Sequence, residues 1–187
     1  PDLPVSIDTF RSSVAARVIH KYGKVIINDI SAGELDPLIV DVAAEHDVPY
    51  VAMHMKGNPR TMQSMTDYRD IVAEVVDYFR ERTAQLRERG VRRIVVDPGF
   101  GFAKTLEQNY ELLRGLHRLA ELGYPVLAGV SRKSMIYKLL GTTPAEALNG
   151  TTALHWECLR QGAVILRAHD TREAVEVVRM FDQFMQA

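Results

Sequence analysis

The sequence predicts an α/β fold with a parallel sheet, wound as a TIM (β/α)8 barrel in preference to an open doubly wound sheet. Three observations carry this. One unit recurs along the chain: a short β-branched apolar run, a polar cluster, a helical stretch, then a Gly or Asp turn into the next run. The runs are too short for helices and do not alternate strictly, which is how buried parallel strands read. Polar clusters follow every run and no GxGxxG follows any, so the polar groups ring a common mouth and do not gather at one switch point.

The elements follow in order. The first run, residues 5–7, leads to Asp8. The second, 25–27, enters from Gly23 and leads to Asn28 and Asp29. Asp36-Pro37 sets a cap residue before a proline at a first helical position. The third run, 50–53, enters through Asp47-Val48-Pro49 and leads to His54. Ile71, Val72, Val75, Val76 and Phe79 form a stripe at helical spacing. The Arg-rich stretch 80–93, with Glu81 and Glu88 interspersed, reads as a solvated helix face. The fourth run, 94–96, follows Gly90 and leads to Asp97-Pro98-Gly99-Phe100-Gly101. The fifth, 126–130, follows Gly123-Tyr124-Pro125 and leads to Ser131-Arg132-Lys133. The sixth, 163–166, follows Gly162 and leads to Arg167, His169 and Asp170. Thr105 with Gln108, Thr143 with Glu146 and Asp170 with Glu173 have capping-box spacing. No linker interrupts the pattern, so residues 1–187 read as a single domain.

Composition removes several function classes. With 187 residues the chain is long enough for a sizeable core. Lys and Arg number 23 against 24 Asp and Glu, a net charge of −1 that excludes the basic field of a nucleic-acid binder. No apolar run approaches the ~18 residues of a membrane span. The lone Cys158 has no partner for an internal disulfide, which fits a reducing compartment. Pro1-Asp2-Leu3-Pro4 lacks the features of a signal peptide, so a cytoplasmic protein is expected.

If the strands converge, the mouth gathers Asp8, Asn28, Asp29, Met53, His54, Asp97, Ser131, Arg132, Lys133, Arg167, His169 and Asp170. Asp8 and Asp97 suit acceptance from the N–H groups of an amino-heterocycle. Arg167 and His169 lie two apart, on one side of a continuing strand, and suit an anion such as phosphate. Some of these have a structural alternative. Asp170 fits a helix cap; Asp29 is either a turn residue or a ligand contact; His54 is either a core histidine or part of the site. Met53 and Met55 fit core filling, and Trp156 and Cys158 fit packing. No metal-ligand spacing occurs, so no metal held wholly by this chain is expected.

Ser6-Ile7-Asp8-Thr9, Ile27-Asn28-Asp29, Met53-His54-Met55-Lys56-Gly57 with Pro59-Arg60-Thr61-Met62-Gln63, Asp97-Pro98-Gly99-Phe100-Gly101-Phe102, Gly129-Val130-Ser131-Arg132-Lys133-Ser134 and Arg167-Ala168-His169-Asp170 follow one another along the chain. In that order they resemble the dihydropteroate synthase family, over essentially the whole sequence. The resemblance implies condensation of 6-hydroxymethyl-7,8-dihydropterin pyrophosphate with p-aminobenzoate, releasing pyrophosphate, in folate synthesis. It also implies magnesium on the pyrophosphate, a homodimer and a sulfonamide target. By this resemblance Asp8, Asn28 and Asp97 read the pterin edge, and Lys133 donates to its carbonyl side. Met53, Phe102 and Gly129 form pocket walls. Arg167 stacks on the pterin and with His169 holds the pyrophosphate, and Ser131 lies near p-aminobenzoate. Ala103, Tyr137, His155 and Trp156 depart from the family pattern without removing a ligand-facing group. Barrels of this type run to about 250 residues with eight strands; six units are counted here. The resemblance therefore implies an N-terminally incomplete chain, lacking an Asn associated with magnesium and an Arg-bearing loop, with little or no synthase activity alone. The alternatives are a related pterin-binding methyltransferase, which needs neither Arg167 nor His169 for pyrophosphate, a Schiff-base aldolase using Lys133, and a non-catalytic remnant that binds pterin.

Overall fold

The computed structural model describes residues 3–58 and 60–186; Pro1 and Asp2 of the N-terminal motif and Pro59 of the third motif lie outside the described residues. Strands and helices alternate: β1 (Ser6–Asp8), α1 (Ser12–Tyr22), β2 (Ile26–Asp29), α2 (Leu38–Glu45), β3 (Tyr50–Met53), α3 (Ile71–Glu88), β4 (Ile94–Asp97), α4 (Leu106–Arg114), α5 (His117–Ala120), β5 (Leu127–Ala128), α6 (Ser134–Leu140), α7 (Leu148–Arg160), β6 (Ile165–Leu166) and α8 (Thr171–Gln186). All strand pairs are parallel. Spatial order follows chain order, β1-β2-β3-β4 and β5-β6, with a Val96–Val126 bridge linking the two groups. A doubly wound sheet would reverse direction at a switch point. This order is that of barrel winding, with six strands among the described residues.

Side-chain alternation divides the sheet into two faces. Ser6, Asp8, Ile26, Asn28, Val51, Val95, Leu127 and Ile165 face an interior space of about 480 Å³ that Arg167 also lines. The opposite face carries Ile27, Tyr50, Ala52, Ile94, Val96 and Ala128, packed in the core beneath helices that contribute Ile39, Val75, Phe79 and Leu112. Burying this apolar face is what holds helices to sheet, at roughly 25 cal/mol per Å² of apolar surface removed from water.

Three strands run further than their apolar runs suggest. Asp8, Asn28, Asp29 and Asp97 are strand residues, kept in the ladder by parallel partners. Beyond them, the Thr9 N–H donates to the Asn28 carbonyl and the His54 N–H to the Asp97 carbonyl. The fifth and sixth strands are shorter than expected. After Ala128 the chain leaves the sheet, and the Lys133 N–H donates to the Val130 carbonyl as the backbone turns into α6.

The caps perform as their spacing predicts, with two differences. Thr105 and Gln108 form a full capping box on α4. Thr143 and Glu146 form one too, but it closes a 3₁₀ turn at Pro144–Glu146 ahead of α7. The Asp36 carboxylate accepts from the Ser12 N–H at 2.7 Å and the Leu38 N–H at 3.2 Å, so it ties the start of α2 to that of α1. Asp170, expected as a cap, directs its carboxylate to Arg132 instead. The Arg-rich face is not wholly solvated: Arg82 donates to the Ala32 carbonyl and Arg89 to that of Pro37. Trp156 packs edge-on against Phe181 and Phe184, and Cys158 is buried, its thiol pushed up to about 12 by that burial. No helix among the described residues is long and apolar enough to cross a membrane.

Candidate active site

The strand register sets the mouth. Asp8 pairs with Asn28 and Asn28 with Val51, while Met53 pairs with Asp97 two residues further along, so Asp8, Asn28, Met53 and Asp97 all point inward from the strand ends. Groups anchored on strands are held more tightly than groups on loops. Asn28 Nδ2 donates to Asp8 Oδ1 at 2.6 Å, and Arg167 Nη2 donates to Asp8 Oδ2 at 2.6 Å. One carboxylate is thus shared by an amide and a guanidinium.

Asp97 stands deeper, 5% exposed, and accepts from the Gly99 N–H at 2.8 Å. Burial pushes its carboxyl above the usual range, and the nearby Lys133 cation is the main force opposing that. Gly99 has φ +68°, and a Cβ there would run into the His54 carbonyl oxygen; only glycine fits. Lys133 Nζ donates to the Phe100 carbonyl and lies 5.0 Å from the centre of the Phe102 ring. Burial lowers its pKa and Asp97 raises it. Gly129 leaves bare backbone beside Lys133 Nζ and the Arg167 stem, where a Cβ would meet both at 3.8 Å.

Ser131 Oγ lies 3.0 Å from His169 Nδ1 and accepts from the His169 N–H at 3.1 Å. Gly129, Ser131, Lys133, Arg167 and His169 share a cleft of about 220 Å³. The structure thus brings Asp8, Asn28, Met53, Asp97, Phe102, Gly129, Ser131, Lys133, Arg167 and His169 to one mouth, where each carboxylate has a cation beside it, Arg167 at Asp8 and Lys133 near Asp97.

Four residues of the ring read from the sequence are elsewhere: Arg132 with Asp170, Asp29 and His54. Arg132 has φ +53°, which turns its side chain away. Its guanidinium donates to both Asp170 oxygens at 2.8 and 2.7 Å and to the Pro144 and Ala145 carbonyls. Asp29 faces the helices, where its carboxylate accepts from the Ser31 N–H, the Ser31 hydroxyl, the Gly33 N–H and the Tyr50 hydroxyl. That makes it a loop anchor. His54 is buried behind β3, 4.9 Å from the Tyr78 ring centre, with its pKa driven well below the usual range by burial. It borders the mouth only through the loop after Asp97. One residue escaped the sequence reading: Lys104, 6% exposed, lies beneath that same loop. The available signal was a lysine closing the glycine-rich Gly99–Lys104 segment.

Comparison with known proteins identifies the family. The sequence profile of the pterin binding enzyme family matches residues 2–169. The dihydropteroate synthase of Synechocystis is 43% identical over 184 residues, covering 97% of this chain and 63% of the relative, so the chain spans less than two thirds of that protein. Thermus thermophilus dihydropteroate synthase, solved in complex with 4-aminobenzoate, superposes with a TM-score of 0.92 at 39% identity, covering 97% of this chain and 74% of that one. The Xanthomonas albilineans enzyme in complex with 7,8-dihydropteroate superposes with a TM-score of 0.89 at 38% identity, covering 99% and 68%. With its barrel order, its strand-end motifs and these likenesses, the chain belongs to the pterin binding enzyme family, among the dihydropteroate synthases.

Proposed function

We propose that this chain carries the pterin and pyrophosphate subsites of a dihydropteroate synthase, joining 6-hydroxymethyl-7,8-dihydropterin pyrophosphate to p-aminobenzoate with loss of pyrophosphate. The observation that carries the reading is a single mouth that holds both carboxylate and amide acceptors and cationic donors. Asp8, Asn28 and Asp97 offer acceptors for an aminopyrimidine edge, while Lys133, Arg167 and His169 beside them offer donors to an anion.

In this reading Asp97 binds the amino-heterocycle from inside the barrel. Its buried carboxylate, with Asp8 at the rim, stabilises positive charge that develops on the pterin as pyrophosphate departs. Met53, Phe102 and the bare Gly129 backbone shape the ring slot. Arg167, with a planar fork on a long stem, covers the ring face and reaches the leaving group. His169 joins it there. Ser131, already bonded to His169, places the p-aminobenzoate end beside the pyrophosphate end. Magnesium belongs to this reading as the counter-ion of the pyrophosphate. No group of three or more His, Cys, Asp and Glu is placed to hold a metal among the described residues, so no step is routed through a protein-held ion. A homodimer in the cytoplasm completes the reading; the exposed Met180, Phe184 and Met185 of α8 give it an apolar face.

Calorimetric titration tests this. The chain should bind the pterin pyrophosphate at least tenfold more tightly than the corresponding hydroxymethylpterin, because one or more charge-assisted hydrogen bonds are added. Equal affinity for the two overturns the synthase reading in favour of a pterin-binding methyltransferase.

A further inference from the structure

We propose that Lys104 is a positioning residue that clamps the Gly99–Phe102 loop against His54 and so sets where Lys133 stands in the mouth. The clamp rests on the pterin-site reading only for its effect on ligand.

Lys104 Nζ lies 3.0 Å from the Gly99 carbonyl, 2.9 Å from the Phe102 carbonyl and 3.2 Å from His54 Nδ1. An ammonium has three donors and no acceptor, and here each donor has a partner. Among the described residues Lys104 makes no salt bridge, so its role is directional hydrogen bonding. The loop it holds needs holding. Gly99, Gly101 and Ala103 have φ of +68°, +82° and +51°, and for Ala103 this left-handed conformation is strained, because its Cβ crowds the following carbonyl oxygen. Strain of this kind persists where the surroundings over-determine it. Lys104 does so from below, and Asn109 Oδ1 does so from the side by accepting from the Gly101 N–H at 2.6 Å. The loop in turn presents the Phe100 carbonyl to Lys133 Nζ and the Phe102 ring beside it. His54, Lys104, the loop and Lys133 form one connected series.

The groups around Lys104 are His54 and Lys56 after β3, Asp97 on β4 and Lys133 at the head of α6. Burial pulls the Lys104 pKa down to about 7, with Asp97 opposing. Neutral His54 accommodates both forms. It accepts from the ammonium in one tautomer and donates Nδ1–H to the free amine in the other.

Deuterium exchange of the Gly99, Gly101 and Phe102 amides, read by NMR with wild type and Lys104→Met, tests the clamp. In the variant these amides should exchange at least tenfold faster, with β1–β3 amides unchanged. The Kd for the pterin pyrophosphate should rise about tenfold. In wild type the Lys104 Cε resonance should titrate near neutrality. Exchange of the three amides, corrected for intrinsic base catalysis, should quicken through the same midpoint, because charge-assisted hydrogen bonds are the stronger ones. Should Lys104→Met fail to fold, this wild-type titration decides the matter. Wild-type exchange and affinity in Lys104→Met, or exchange of the three amides that does not change through the Lys104 midpoint, overturns the clamp. Accelerated exchange in the variant beside absent pterin binding in wild type supports the clamp and sinks the pterin reading.

Discussion

Arg167 Nη2 donates to Asp8 Oδ2 at 2.6 Å, joining residues 159 apart in sequence, one at the end of β1 and the other just past β6. The two side chains are 53% and 59% exposed, so water screens the attraction and its contribution to stability is small. The pair keeps a guanidinium and a carboxylate together at the rim, each available to a ligand that outcompetes the other.

Arg167→Met should therefore separate stability from binding. Urea denaturation should register a change below about 1 kcal/mol. Affinity for the pterin pyrophosphate should fall tenfold or more, and affinity for the unphosphorylated pterin far less. Equal losses for both ligands would remove Arg167 from the pyrophosphate subsite.

His155 lies buried in α7, its Nε2 without a hydrogen-bond partner among the described residues, and burial lowers its pKa. Above the unfolded value of about 6.5 both folded and unfolded forms are neutral. As pH falls through that value the unfolded chain takes the proton first, so stability declines on the acid side, by at most about 1.4 kcal/mol per pH unit for one group. His155→Leu should flatten the stability profile between pH 7 and 5 and leave stability at pH 8 equal or higher. Denaturation midpoints across that range check it; an unchanged acid slope would count against the assignment.

The bidentate Arg132–Asp170 pair ties the turn before α7 to the head of α8. Asp170→Ala should lower the melting midpoint by clearly more than Glu176→Ala, which removes only the exposed pair with Arg172 on one helix. Pterin affinity should be retained in both. Scanning calorimetry with a ligand titration checks both halves.

Tyr50 donates to the Asp29 carboxylate at 2.7 Å inside the helix–sheet interface. Tyr50→Phe keeps the ring and withdraws one of four donors from a buried anion. The loss should be about 1–3 kcal/mol by chemical denaturation, with ligand affinity unchanged because the pair faces away from the mouth.

These residues also mark what could be read in advance. Strand runs, turns and the Thr105 box follow from local chemistry, and so does the placing of Asp8, Asn28 and Asp97 at strand ends. Asp29 was ambiguous because β2 extends beyond its apolar run; once it does, alternation sends the residue after Asn28 to the helices. Arg132 was misread as a mouth cation because a positive φ breaks the alternation on which the reading depended. Lys104 went unnoticed because lysine is normally exposed, and a chain of letters does not reveal that three acceptors wait beneath one loop.

The strictly sequential strand order bears on how the chain assembles. Each new strand docks on the one before it in sequence, so each ladder closes a single β-α unit, and closure entropy grows only slowly with the length of that unit. Contact between Arg167 and Asp8 is different: it closes nearly the whole chain and gains little energy in return. Folding should run outward unit by unit from the early strands, with the rim pair forming at the end and opening first.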